Sequence, residues 1–203
     1  MNSNNPKPAH KFGRFILKNG VSILMVVAIV AMLVSPDAKS WVLRQLMLTG
    51  IFNANIEHKS ADVSNNSVVS FDFKDENGVL HTTKALKGKV VFINFWASWC
   101  GPCRAEFPSI ETLYSKFKNN PAVYFLVINA DEDISKAKTY LQKENFTIPF
   151  FQSNGAVPDA IYTGTLPTTV VLDKEGAIRF RHEGFANYAS ENFIKQIEEL
   201  LKE

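Results

Sequence analysis

The stretch GKVVFINFWASWCGPCRAEFP, residues 88–108, constrains the fold more than any other part of the chain. From Val90 to Ala97 it is apolar apart from Asn94. Such a continuous run reads as a central strand buried on both faces. Directly after it come Cys100-Gly101-Pro102-Cys103, then Phe107, Ile110, Leu113, Tyr114 and Phe117 along one side of a helix ending near Lys118. Proline in a first helical turn loses no intrahelical bond. Pro108 lies deeper in the helix and is expected to kink it. A buried strand thus hands over to a helix N-terminus at the cysteine pair.

The surrounding pattern is α/β. SVVSFDFKD and VLHTTKAL flank Glu76-Asn77-Gly78, an Asn-Gly hairpin signal. AVYFLVINAD predicts a second buried strand, followed by a helix through ISKAKTYLQKEN. Residues 148–163 read as irregular, with a short helix at PDAIYT. PTTVVLD and AIRFRHE form a hairpin about Lys174-Glu175-Gly176, and ENFIKQIEELLK closes the chain as an amphipathic helix. This order gives a three-layer α/β plan with a mixed sheet.

Charge divides the 203 residues unevenly. Residues 1–59 hold seven Lys/Arg against two acids, and residues 60–203 hold fifteen against eighteen. The larger part is mildly acidic and offers no basic stripe, so nucleic acid is not an expected partner. The basic N-terminus precedes an apolar run from Val21 to Val34 in which only Ser22 is polar. With Phe15-Ile16-Leu17 the span reaches residues 15–34, with Lys18 placed to snorkel toward the headgroups. Basic residues before it and Asp37 after it put residues 1–14 in the cytoplasm and the remainder on the extracytoplasmic side, the periplasm. A cleaved signal peptide is the rival, but SPDAKS supplies no convincing small-x-small site, so an uncleaved anchor is preferred. Residues 35–64 read as a juxtamembrane amphipathic segment, WVLRQLMLTGIF, and a polar linker from Asn53 to Ser67; the globular domain is set at 65–203. That amphipathic segment either lies along the membrane or packs on the domain.

Cys100 and Cys103 are the only cysteines, so neither is spare for a structural disulfide. A thiolate is the attacking species in disulfide exchange, and a helix N-terminus favours it. Cys103, one turn along, can then resolve a mixed disulfide. Half of a zinc site is the competing reading, but two further ligands are missing. His10 and His58 lie outside the domain, and His81 and His182 have no paired spacing. No metal and no cofactor is called for.

WCGPC after a buried strand, a proline five residues past the second cysteine, and LPTTVVLD some sixty residues on together resemble the thioredoxin fold. The wider string FWASWCGPCRAEFP, the preceding hairpin and the N-terminal anchor resemble a TlpA/ResA-like membrane-tethered thiol-disulfide oxidoreductase over about residues 65–203. That resemblance implies a redox-active Cys100–Cys103 disulfide and a cis Leu166–Pro167 bond offering backbone to a bound substrate strand. It makes Glu106 a candidate for tuning the thiols and shuttling a proton, where an ordinary first-turn acid is the plain alternative. Thioredoxin itself has an aspartate six residues before its first cysteine; here that position is Asn94, which does not titrate. Trp99 is expected to shield the disulfide and form part of the docking surface, while Trp96, Phe95 and Phe107 read as core. Arg104 reads as an exposed helix arginine, with electrostatic assistance to the thiolate as the alternative.

Gly-Pro between the cysteines resembles reducing thioredoxin, at about −270 mV, more than oxidants near −120 mV. The expected activity is reduction of oxidised cysteine pairs in exported proteins, apocytochrome c being one possibility the family suggests, with re-reduction by a transmembrane electron donor. Two alternatives stand beside it. A non-catalytic copper-handling module needs a wider cysteine spacing and a committed histidine, for which His182 is the only candidate. A thiol peroxidase needs a threonine shortly before its peroxidatic cysteine, and no such stretch is present.

Overall fold

The computed structural model describes residues 9–47, 49–56 and 70–203. Most of the expected cytoplasmic tail, and the linker from residue 57 through the expected domain start, lie outside the described residues. Two N-terminal helices, α1 (Ala9–Val34) and α2 (Pro36–Met47), are separated only by Ser35. Side chains 21–30 of α1 are exposed, nearly all apolar, and span about 15 Å of helix. Among the described residues no helix is long and apolar enough to cross a membrane.

The sheet is built from β1 (Asp72–Lys74), β2 (Leu80–Thr82), β3 (Val90–Trp96), β4 (Val123–Asn129), β5 (Phe150–Asn154), β6 (Thr168–Leu172) and β7 (Ile178–Glu183). Their order is β2-β1-β5-β4-β3-β6-β7. β3, β4 and β5 run parallel, while β1, β2, β6 and β7 join antiparallel, so the sheet is mixed as expected. All seven residues of β3 are buried, in keeping with its central place. The β1–β2 turn closes with Gly78 at φ 78°, a backbone region glycine enters without a Cβ clash. Asp75 Oδ1 accepts from Asn77 and Val79 N–H, each at 2.9 Å, across that turn.

Alternation along the strands sorts the core into two clusters. Val90, Phe92 and Trp96 face α3 (Gly101–Phe117), α4 (Ile134–Lys143) and α5 (Glu191–Leu200), whose buried residues join them. Val91, Ile93 and Phe95 face the other way, against Phe71, Phe73, Phe151 and Ile161, with Leu86, Val157 and Tyr162 packed on the rim. The three-layer expectation is corrected here: the α-helices cover one face, and hairpin and loop side chains, with a 3-10 helix at Thr83–Leu86, close the other. Gly155, Pro158, Gly164 and Pro167 punctuate the segment that would have to supply a helix there. The expected helix at PDAIYT is likewise a turn, with Ile161 and Tyr162 N–H both donating to the Pro158 carbonyl.

Three further differences concern what long-range contacts decide. Phe150–Asn154, expected as irregular, is a strand because β1 offers it an antiparallel partner. The start of the polar linker is docked: Ala54 N–H donates to the Asn187 carbonyl, Asn187 N–H to that of Phe52, and Ala54 and Ile56 are buried. Helix α2 packs on the domain through α3, burying Ser40 and Met47, and leaves Trp41 exposed.

Candidate functional site: the cysteine pair and a buried acid

Cys100 and Cys103 form a disulfide, with Cα atoms 5.3 Å apart. Cys100 is the N-cap of α3, and its Sγ accepts from the Cys103 N–H at 3.2 Å. The strand-to-helix handover expected from the sequence therefore puts a sulfur on otherwise unpaired amides at the positive end of the helix. Cys103 is fully buried and Cys100 nearly so. Beside them Trp99 is 61% exposed, whereas Trp96 is wholly buried against Phe107 and Tyr140.

The loop that turns the strand into the helix is held by a residue not singled out from sequence. Asp131, at the end of β4, accepts from Ser98 N–H at 2.9 Å and Ser98 Oγ at 3.0 Å, and from Asn129 Nδ2 at 2.8 Å. Charged acceptors make the stronger hydrogen bonds. The only sequence signal is an acid following a buried strand, which is too common to read.

Glu106 lies one turn after Cys103 and is completely buried. Period-2 geometry on β3 aims Asn94 at the helical face, and the ladder sets Thr169 directly opposite it. Asn94 Nδ2 donates to Glu106 Oε1 at 2.8 Å and to Thr169 Oγ1 at 2.9 Å. Glu106 Oε2 accepts from the Ala186 N–H at 3.2 Å. Burial pushes the carboxyl up to about 8, against the lowering effect of these two hydrogen bonds. Glu106 is thus no ordinary solvated first-turn acid. Asn94, which does not titrate, serves as a hydrogen-bond donor to it.

The Leu166–Pro167 bond is cis, at the entry to β6. Pro167 is buried, and Leu166 packs on the cluster that contains both cysteines. Arg104 corrects the sequence reading: it is 8% exposed, paired with Asp37 of α2, and stacked 4.7 Å from the Tyr140 ring centre. Pro108 sits inside an α3 that remains one helix. Having no N–H, it leaves the Arg104 carbonyl without its helical donor, and Arg44 of α2 supplies Nε at 3.3 Å and Nη2 at 3.0 Å.

Comparison with known proteins agrees with this arrangement. The redoxin family profile matches residues 63–196. The thiol-disulfide oxidoreductase ResA of Halalkalibacterium halodurans is 31% identical over 135 residues, covering 66% of this chain and 74% of that one. ResA of Bacillus subtilis is 31% identical over 129 residues, covering 63% and 72%. A crystal structure of a candidate DsbE thiol:disulfide interchange protein from Chlorobium tepidum superposes with a TM-score of 0.56 at 27% identity, covering 65% of this chain and 93% of that one. With a disulfide-forming cysteine pair capping the helix that leaves the central strand, the chain belongs to the redoxin family, as a ResA-like thiol-disulfide oxidoreductase of thioredoxin-like fold.

Proposed function

We propose that the protein is a reductase of disulfides in exported proteins, acting on the extracytoplasmic side of the membrane. The observation that carries this reading is Cys100 at the N-cap of α3 with its sulfur on the Cys103 amide, an environment that stabilises a thiolate. In the reduced enzyme the Cys100 thiolate attacks a sulfur of the substrate disulfide, forming a mixed disulfide and releasing one substrate thiolate. Cys103 then loses its proton and attacks Cys100 Sγ. The Cys100–Cys103 bond forms, the second substrate sulfur leaves, and two electrons have passed to the substrate. Glu106, buried one turn from Cys103 and protonated, gives its proton toward the departing substrate sulfur and takes up the one Cys103 loses, ending the step as it began. Trp99, Leu166 and Pro167 line the docking surface.

Residues 1–14 form a cytoplasmic tail in this reading, 15–34 the single membrane anchor, 35–64 the juxtamembrane segment and 65–203 the redox domain. Exposed apolar side chains along α1 and the basic residues before it support the anchor. The substrates are exported proteins with oxidised cysteine pairs, apocytochrome c among the candidates, and a transmembrane electron donor restores the dithiol. A Cys103→Ser variant tests this, because Cys100 then stays joined to its partner. Exported thiol proteins recovered as mixed disulfides are the expected result. None recovered, or a Cys100–Cys103 potential above about −150 mV, refutes a substrate-reducing role.

A further inference from the structure

We propose that helix α2 is a specificity element of the redox site: seated on α3, it closes one side of Cys100 and leaves the side of Trp99 for a partner. This rests on the thiol-disulfide reading above and adds to it a restriction on which disulfides can approach.

Three independent features seat the helix. Gly101, the residue after the nucleophile, lies so close to α2 that a Cβ on it would come within 3.2 Å of Lys39 Cβ and 3.8 Å of the Pro36 carbonyl. Asp37, in the first turn of α2, pairs with Arg104, whose guanidinium is buried between it and Tyr140. Arg44, two turns on, donates twice to the carbonyl that Pro108 leaves free and also pairs with Glu144 at 3.3 Å. Gly101, the helix proline and Arg104 are thus used together as a socket. Lys39 and Pro36 consequently stand against Gly101, the residue next to the nucleophile, and Cys100 itself is only 5% exposed. Trp99, the residue before Cys100, is open. An extended or flexible cysteine segment fits along that open side. A rigid folded disulfide meets α2.

The test uses the full chain in detergent micelles, reduced, with Asp37→Ala and Arg44→Ala as separate variants. The second-order rate constant with native insulin, a folded disulfide protein, is divided by that with hydroxyethyl disulfide, a small one. Each variant removes a charge-assisted anchor to a buried partner, so the ratio should rise at least about fivefold. Lys116→Ala, which breaks the Lys116–Glu198 pair at the far end of α3, should leave the ratio within twofold of wild type. A rise above twofold in both α2 variants supports the inference. A ratio unchanged or lowered in either, or moved equally by Lys116→Ala, overturns it. Failure of the wild type to react even with hydroxyethyl disulfide would instead refute the oxidoreductase reading itself.

Discussion

Replacing Glu106 by glutamine should change the sign of a stability difference as pH rises. The unfolded carboxyl titrates near 4.5 and the folded one at about 8. Between those values the native state keeps a proton that the unfolded state has lost, so stability falls as pH rises through the window and stays low above it. At 1.36 kcal/mol per unit, the fall attributable to this side chain is about 5 kcal/mol. Glutamine cannot ionise, and its curve lacks that fall. It keeps an oxygen for Asn94 Nδ2 but turns an NH₂ toward the Ala186 N–H, where Oε2 now accepts. Leaving that buried donor unpaired costs about 1–3 kcal/mol at every pH. Glu106→Gln is therefore the less stable protein at pH 4.5 and the more stable at pH 8.5, with the curves crossing between about pH 5 and 7. Urea unfolding of the disulfide-bonded protein, followed by tryptophan fluorescence from pH 4.5 to 8.5, measures this. Subtracting one curve from the other cancels every other titrating group. A difference that stays constant with pH would refute a neutral, buried Glu106 and remove the basis for its proton role.

Two further substitutions probe the frame around the pair. Phe107→Ala empties a site enclosed by Trp96, Tyr140 and Phe146 and should lower stability by about 3–5 kcal/mol in the same urea assay. Asp131→Ala leaves the Ser98 amide and hydroxyl without their acceptor; amide exchange at Ser98 should accelerate at least tenfold, while exchange in the middle of β3 stays as in the wild type.

Legibility followed the range of the interactions. The central strand, the helix behind the cysteines and the C-terminal amphipathic helix are written in local periodicity, and each is present within a residue or two of its expected bounds. The Asn-Gly hairpin is present too, but its strands are shorter than expected, Asp72–Lys74 and Leu80–Thr82, and Thr83–Leu86 winds into a 3-10 helix. Residues 150–154 were not legible, because their strand state depends on partners in β1 and β4 far along the chain. The layer opposite the helices was misjudged for the same reason. A sheet face demands cover, but the sequence does not say whether helix or loop provides it. At the site, the cysteine pair stands out as residue types in a pattern, and Glu106 only through the family resemblance. Asp131, Asp37 and Arg44 do not, since an acid after a strand or a charge on a short helix is ordinary until its partner is known.

The sequence by itself determined the chemistry. Two cysteines three apart, placed where a buried strand becomes a helix, gain amides and a dipole whatever surrounds them, because those belong to the helix backbone. Only the tertiary structure decided how that chemistry is tuned and reached. It raised the Glu106 carboxyl well above its ordinary range by burying it beside Asn94 and Ala186, since desolvation exists only once the core has closed. It made Arg104 a socket instead of a solvated side chain by bringing Asp37 across 67 residues of chain. Helix α2 stands against Gly101, where Asp37 meets Arg104 and Arg44 takes the carbonyl that Pro108 leaves free.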